Sequence, residues 1–285
     1  MLPPAATPTS GSIPTHGQSG ISTTCADVNI NDGVVMACDS AATLQSGQTY
    51  LNADKMVNLI RGKPIAAMMT GDGGIGRESI STLFKDLRAQ LTAAVDANNY
   101  TVEQVVRVVR DFFRDKLPPG GPSVSGMLIR ICGYSTERPL PEIWQLVLLG
   151  QECHEPTLCQ DEQAFGLQCN GQSEAVERLV LGYSPRIGMI TEKLGMTPER
   201  WQEVQAIVSA ETFEHFVAAA MPIQDAIDLA RFLVETTAGF VQFSLREQPK
   251  TVGGPVEIAA ITKHEGFRWI QRKHFYPGSL NPALG

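Results

Sequence analysis

Three side chains near the start of the chain have the chemistry to activate a hydroxyl group for nucleophilic attack. Thr23 is the first of two adjacent threonines, Asp39 follows a continuously apolar segment, and Lys55 comes after a short loop. A threonine hydroxyl is a weak nucleophile until a base removes its proton. The α-amine of a chain that begins at Thr23 would be such a base, because its pKa of about 8 leaves part of it neutral at neutral pH. A nearby lysine would lower the pKa of that amine and of the hydroxyl, and a carboxylate would hold the lysine charged and in place.

Each of these residues also has an ordinary structural explanation. Threonine is common at the start of a strand, aspartate at a strand end often caps a turn, and lysine on a strand usually faces solvent. The spacing is the reason to consider the three residues together, because Asp39 and Lys55 follow Thr23 by 16 and 32 positions. We therefore predict that Thr23, Asp39 and Lys55 form one catalytic site.

The segment before Thr23 has the composition of an unfolded tail. Residues 1–22 are rich in Pro, Ser, Thr and Gly and contain few apolar side chains. Such a segment cannot bury enough apolar surface to offset the entropy that it loses on ordering. We predict a disordered leader or a removable propeptide over 1–22, followed by one large domain over 23–285.

Periodicity and turn signals predict the elements that must position the three residues. The turn Asn31-Asp32-Gly33 separates the first two strands, because Asn and Gly tolerate positive φ. Apolar residues at steps of three and four predict two consecutive helices, and Thr101 with Gln104 forms a capping box for the second. The predicted strands cover 23–30, 33–39, 55–60, 64–70, 125–133, 143–150, 164–169, 256–262 and 266–272. The first predicted helix follows the glycine-rich segment 71–76 and extends to about residue 96. The other predicted helices cover 101–117, 171–181, 198–220 and 223–241.

The order of these elements predicts the fold class. Strands, two helices, strands, helices and strands follow one another along the chain. Two sheets that stack face to face with helices outside would bury all of these apolar faces. We therefore expect an α+β fold of the four-layer αββα sandwich type.

Composition excludes several classes of function. The net charge of −7 lacks the basic surface of a general nucleic-acid-binding protein, and no apolar segment approaches the roughly 18 residues of a membrane span. No signal-peptide pattern is present, and six cysteines in a chain of 285 residues do not form a disulfide framework. These features predict a cytoplasmic protein. Cys153 and Cys159 flank His154 but match no standard zinc spacing, so we predict loop cysteines and no metal.

The residues around Thr23, Asp39 and Lys55 resemble those of active β-type subunits of the proteasome family, within the N-terminal nucleophile hydrolase superfamily. The family has its catalytic Thr, Asp and Lys at the same spacing. The segments that carry the resemblance are TT, DGVVMACDSAATL, DKMVNL, AAMMTGDGGIG, CNGQSEA and VGGPVEIAAIT. DSAATL is especially similar to the HslV-type members. The resemblance extends from about residue 23 to 270, and 184–221 resembles an inserted helical pair.

The resemblance implies a threonine-type peptidase whose Thr23 is freed by propeptide removal. It implies that the backbone N–H of Gly71 forms the oxyanion hole, that Asn170 stands where many active members have a supporting Ser, and that Thr43 lies on the strand that pairs with the substrate backbone. It further implies a peptide or protein substrate, no metal or organic cofactor, and a homo-oligomeric ring with an ATPase or regulator ring as a partner.

The chain departs from the family pattern at several positions. Ser22 precedes Thr23, whereas many precursors have Gly there, and Asn170 replaces a Ser. Pro249 and Val252 replace an Asp and a Ser that orient the terminal amine in many members. These departures keep a second interpretation open, a non-catalytic ring subunit. A third is a hydrolase of the same fold that acts on a small amide, with 184–221 reshaping its pocket.

Overall fold

The protein has a mixed α+β structure in which antiparallel sheets are accompanied by helices. The computed structural model describes residues 24–43, 48–160, 165–245 and 251–273. The strands of these ranges are β1 Thr24–Ile30, β2 Gly33–Cys38, β3 Ala42–Thr43, β4 Thr49–Tyr50, β5 Met56–Asn58, β6 Ile65–Gly71, β7 Gly74–Ile75, β8 Glu78–Ser79, β9 Val124–Gly133, β10 Glu142–Gly150, β11 Glu152–Cys153, β12 Thr157–Gln160, β13 Gly166–Gly171, β14 Glu257–Thr262 and β15 Gly266–Gln271. The helices are α1 Ile80–Ala94, α2 Val102–Asp115, α3 Glu174–Leu181, α4 Gly188–Thr191, α5 Pro198–Thr212 and α6 Ile223–Phe243, with short 3-10 turns at Pro185–Ile187 and Glu192–Leu194.

The first sheet contains the hairpin that carries Asp39. Its strand order is β13-β1-β2-β14-β15, and every neighbouring pair is antiparallel. The predicted turn at Asn31 and Asp32 joins β1 to β2. All residues of both strands are buried, as expected for strands that are covered on both faces.

The second sheet places Lys55 beside the strand that ends in Gly71. Its order is β11-β10-β9-β6-β5, with β12 also pairing with β10. Lys55 directly precedes β5, and Gly71 ends β6. Two short antiparallel pairs, β3–β4 and β7–β8, lie outside the two larger sheets. The mixed α+β class expected from the sequence is confirmed.

Buried apolar side chains form three clusters in the described residues. One joins α1 and α2 to β6, β9 and β10, and a second joins α3 and α6 to β1, β2 and β14. The third contains side chains of both sheets, among them Cys25, Met36, Met68 and Cys132. Alternating side chains of β1 divide between two of the clusters, because successive residues of a strand point to opposite faces.

A buried ion pair links the two sheets. Arg130 on β9 places its Nε 3.3 Å from Oδ1 of Asp27 on β1, and the two side chains are 2% and 0% exposed. Within the described ranges neither Asp27 oxygen accepts a hydrogen bond, so its contact with Arg130 is a charge contact without hydrogen-bond geometry. Burial raises the pKa of Asp27 to about 6, and Arg130 opposes this shift.

The helices form largely where periodicity predicts them. The capping box of α2 is confirmed, since Thr101 and Gln104 exchange side-chain and backbone hydrogen bonds. Helix α5 ends at Thr212, earlier than the predicted residue 220. The next residues pack against the end of α3 instead, where the backbone N–H of Glu214 donates to the carbonyl of Val180 at 2.8 Å.

Strand β5 is shorter than predicted because the Asn58 side chain closes the following turn. Its Nδ2 donates to the carbonyls of Lys63 and Ile65 at 2.9 and 2.7 Å, and its Oδ1 accepts from the backbone N–H of Gly62. Among the described residues, no helix has the length and apolar character needed to cross a membrane.

Candidate active site

The hairpin of β1 and β2 fixes Asp39 beside the start of β1. Cys25 pairs with Cys38 in the antiparallel register, and the backbone N–H of Asp39 donates to the carbonyl of Thr24 at 3.1 Å. Asp39 therefore lies level with the first described residue of the strand. The predicted nucleophile, Thr23, and the predicted leader, 1–22, lie outside the described residues.

The carboxylate of Asp39 is surrounded by donors. Its Oδ1 accepts from Nζ of Lys55 at 2.6 Å and from the backbone N–H of Thr24 at 3.1 Å. Its Oδ2 accepts from the backbone N–H of Ala41 at 3.0 Å and of Gly253 at 2.9 Å. The side chain is 1% exposed, and this set of contacts suits an ionised carboxylate, which only accepts hydrogen bonds.

Lys55 reaches Asp39 from the second sheet. Its side chain is 4% exposed, so the ammonium is removed from solvent together with its partner. Its carbonyl accepts the backbone N–H of Met69 at 3.0 Å, which ties the lysine to β6. The structure thus brings the predicted Asp39 and Lys55 into direct contact.

Gly71 occupies a backbone position that only glycine fits. Its φ is +98°, and a Cβ at this position would lie 2.1 Å from the carbonyl oxygen of Gly126. The next residue fixes the local geometry, because the Asp72 backbone N–H donates to Gly126 at 2.9 Å and Oδ2 of Asp72 accepts the N–H of Ser125 at 2.5 Å. Burial raises the pKa of the Asp72 carboxyl, and hydrogen bonds from the backbone of Ser125 and Gly126 oppose this shift.

A thiol connects the strand of Gly71 to the start of β1. Sγ of Cys25 donates to the carbonyl of Met69 at 3.3 Å. Met69 and Gly71 are two residues apart on β6, so the backbone N–H and C=O groups of the two residues point toward the same edge of the strand. The start of β1 and the end of β6 therefore meet between the sheets, which is where the predicted nucleophile and oxyanion donor would have to act together.

The two predicted supporting residues, Asn170 and Thr43, lie in different surroundings. Asn170 lies on β13 opposite Cys25, and its Nδ2 is buried without a hydrogen-bond partner in the part of the chain that is described. A buried amide donor beside β1 is available for a group at the strand start. Thr43 ends the short strand β3 and pairs with Thr49.

Thr24 and the nearby cysteines are poor candidates for the nucleophile. Thr24 is 0% exposed, and its Oγ1 lies 3.6 Å from Sγ of Cys169. Burial raises the pKa of the Cys169 thiol to about 12 and that of the Cys25 thiol well above its usual range. Since the thiolate is the reactive form, both cysteines are kept unreactive.

A second lysine with a buried side chain, which no pattern in the sequence indicated, lies next to this pair. Lys273 contacts Glu257, Ser40 and the carbonyl of Ala53 at 2.6, 3.0 and 2.9 Å. The one sequence signal was Glu257, a charged residue at the start of the apolar segment EIAAIT. Nothing in the sequence paired it with Lys273.

The described residues contain no group of three or more His, Cys, Asp or Glu side chains that could hold a metal ion. Cys153 and Cys159 lie on β11 and β12, and both are free thiols.

Comparison with known proteins gave no assignment, since no protein-family model and no curated protein matched the chain.

Proposed function

We propose that the protein is a threonine-type peptidase of the proteasome superfamily, with Thr23 as the nucleophile. The observation that carries this proposal is the buried contact of 2.6 Å between Nζ of Lys55 and Oδ1 of Asp39, level with the start of β1. A lysine paired with a carboxylate at that point would be adjacent to a terminal Thr23. The residue types, their spacing and this contact all agree with activation of a threonine hydroxyl.

The arrangement of the apolar clusters supports the proposed fold family. One cluster covers the second sheet with α1 and α2, another covers the first sheet with α3 and α6, and the third joins the sheets. A four-layer αββα sandwich of the N-terminal nucleophile hydrolase type would give this distribution.

The proposed reaction begins when the bond between Ser22 and Thr23 is cut. The freed α-amine accepts the proton of the Thr23 hydroxyl as its oxygen attacks the substrate carbonyl carbon. The N–H of Gly71 stabilises the oxyanion. The C–N bond then breaks, the proton passes to the leaving amine, and the acyl group remains on Thr23 as an ester. Water hydrolyses that ester and restores the free hydroxyl.

Each supporting residue has a defined part in this proposal. Lys55 keeps the pKa of the amine low by its positive charge, and Asp39 holds Lys55 in position. Asn170 donates from Nδ2 to a group at the strand start, where a hydroxyl acts in many members of the family. Thr43 belongs to the strand that would pair with an extended peptide.

The wider setting that we propose is that of the family. The substrate is a peptide or protein, no metal or organic cofactor takes part, and the chain assembles into a homo-oligomeric ring in the cytoplasm with an ATPase or regulator ring as a partner.

The test is intact-mass analysis of the purified protein beside Thr23→Ala, together with hydrolysis of casein and a set of fluorogenic peptides. We expect wild type to lose residues 1–22 and to hydrolyse at least one substrate. We expect Thr23→Ala to keep the segment, to be inactive, and to retain the wild-type circular dichroism spectrum. Activity of Thr23→Ala equal to wild type would exclude the mechanism. Retention of 1–22 by both proteins, without hydrolysis, would favour the non-catalytic subunit.

A further inference from the structure

Lys273 lies at the centre of a buried polar cluster beside the candidate active site. Its side chain is 5% exposed, and its Nζ lies 2.6 Å from Oε2 of Glu257, which is 1% exposed. The same ammonium donates to Oγ of Ser40 at 3.0 Å and to the carbonyl of Ala53 at 2.9 Å. It also lies 3.5 Å from Oδ1 of Asp54. A lysine has three N–H donors, so one side chain can hold several segments at once.

The partners of Lys273 flank the two charged residues of the candidate site. Ser40 follows Asp39 directly, and Ala53 and Asp54 are the two residues before Lys55. These segments are also joined to each other, because the backbone N–H of Ala53 donates to the carbonyl of Ser40 at 2.9 Å. The ammonium of Lys273 therefore bridges the two short segments that present Asp39 and Lys55.

We infer that Lys273 is a positioning residue for the proposed reaction, which holds the Lys55 ammonium against Asp39 by fixing the segments next to them. This inference rests on the proposed function for its catalytic consequence, but its structural part can be tested alone. A displacement of about 1 Å in a catalytic group can lower a rate by about 100-fold.

The segment before β14 also contacts Ser40 and the loop that leads to Lys55. The hydroxyl of Ser40 donates to the carbonyl of Pro255 at 2.6 Å, and its backbone N–H donates to Gly253 at 3.0 Å. Gly254 has a φ of +77°, and a Cβ there would lie 2.3 Å from the carbonyl oxygen of Leu51. This close approach packs the glycine segment on the loop that leads to Lys55. Lys273 then fixes that loop from the opposite end.

Stability alone does not explain a buried lysine in this place. Replacing a buried ion pair by packed apolar groups is often neutral or stabilising. The contacts of Lys273 with Ser40 and Ala53 instead add directional hydrogen bonds between segments that are distant in the chain. Their common effect is to define where Asp39 and Lys55 lie relative to each other.

The experiment compares Lys273→Met with the double variant Lys273→Met/Glu257→Gln in the full-length protein. The double variant removes both charges, so it avoids leaving Glu257 unpaired and remains informative if the single variant does not fold. Lys263→Met is the matched control, because Lys263 is exposed in the turn between β14 and β15. Hydrogen–deuterium exchange of a peptide covering 50–56 is measured beside kcat and KM for a fluorogenic peptide.

We expect faster exchange over 50–56 in the double variant, with unchanged exchange in a reference peptide from α2. We expect kcat to fall by about 10- to 100-fold while KM changes by less than about threefold, because the proposed effect is on the reacting groups rather than on substrate binding. A loss of folded protein alone would raise exchange in both peptides.

Two results would overturn the inference: exchange over 50–56 equal to that of Lys263→Met, or an unchanged kcat in a double variant whose wild-type parent is active. Faster exchange over 50–56 in a protein whose wild type hydrolyses no substrate would have a different meaning. The bridging role of Lys273 would then stand, and the proposed peptidase function would fail.

Discussion

The ammonium of Lys55 and the backbone N–H of Thr24 donate to the same oxygen, Oδ1 of Asp39, at 2.6 and 3.1 Å. The Thr24 nitrogen is bonded to the carbonyl carbon of Thr23, so Asp39 fixes the point at which residue 23 joins the strand. One carboxylate oxygen thus sets the start of β1 and the position of a lysine from the other sheet. This double contact is the geometric basis on which we propose a catalytic site at this position.

Removal of the lysine should cost both stability and activity. In Lys55→Met the Asp39 carboxylate stays buried with its backbone donors but without the ammonium. Breaking a buried ion pair in this way destabilises a protein by about 3–5 kcal/mol. We expect a loss near the lower figure, because three backbone N–H groups remain, and we expect loss of peptide hydrolysis. Urea unfolding followed by circular dichroism measures the first effect.

Lys63→Met provides the comparison for this variant. Among the described residues the side chain of Lys63 has one hydrogen bond, a solvent-exposed contact with Oδ1 of Asn98 at 3.1 Å, and its replacement should change the free energy of unfolding by no more than about 0.5 kcal/mol. If Lys55→Met were as stable as Lys63→Met, the pair of Asp39 and Lys55 would not be held as described.

Gly71→Ala should be much more harmful than alanine at another glycine with positive φ. The added methyl group would lie 2.1 Å from the carbonyl oxygen of Gly126, so β6 and β9 would have to separate at this point. We expect a loss of at least about 3 kcal/mol in the free energy of unfolding, more than the 1–3 kcal/mol of backbone strain alone. Thermal and urea unfolding measure the loss, and hydrolysis should fall with it.

Gly62→Ala separates backbone strain from the steric clash. Gly62 has a φ of +71°, but no atom of the part of the chain that is described would lie within 4 Å of an added Cβ. This variant should lose only about 1 kcal/mol and keep full activity. Equal losses for the two variants would mean that strain, and not the contact with Gly126, makes glycine necessary at position 71.

Local signals in the sequence predicted much of the fold. The Asn31-Asp32 turn set the β1–β2 hairpin, and with it the position of Asp39. The apolar stripes of α1, α2 and α6 are buried as their spacing required, because a period of 3.6 residues places one face of a helix on the core. The contact of Asp39 with Lys55 agrees with the grouping that their residue types and spacing indicated.

Contacts between distant parts of the chain could not be predicted in the same way. Gly253 donates to Asp39 across 214 positions, and Lys273 donates to Ser40 across 233. No local pattern encodes such a pair. The ends of β5 and α5 differ from prediction for a related reason, since the Asn58 side chain and the packing of Glu214 on α3 override local propensity. The sequence did not reveal that Asp27 meets Arg130 across the sheets.

That buried pair leads to a prediction about pH. Burial raises the pKa of Asp27 from 3.8 to about 6 in the folded protein, so the folded state binds this proton more tightly than the unfolded state does. Where the folded state binds more protons, stability falls as pH rises. The contribution of Asp27 should therefore be most favourable below about pH 4 and be lost between about pH 4 and 6, by an amount on the order of 3 kcal/mol.

The measurement is the free energy of unfolding between pH 4 and 7 for wild type and Asp27→Asn, compared as the difference between the two at each pH. Asp27→Asn loses the charged contact with Arg130, so its absolute stability will differ from that of wild type. Because asparagine binds no proton, the test is how the difference in free energy of unfolding changes with pH. Wild type should lose stability relative to the variant as pH rises to about 6 and then remain level. Asp86→Asn, on an exposed part of α1, controls for the same chemical change elsewhere. A wild-type stability that rises relative to Asp27→Asn over this range would show that Arg130 outweighs burial, and that Asp27 is an ordinary ionised partner in the pair.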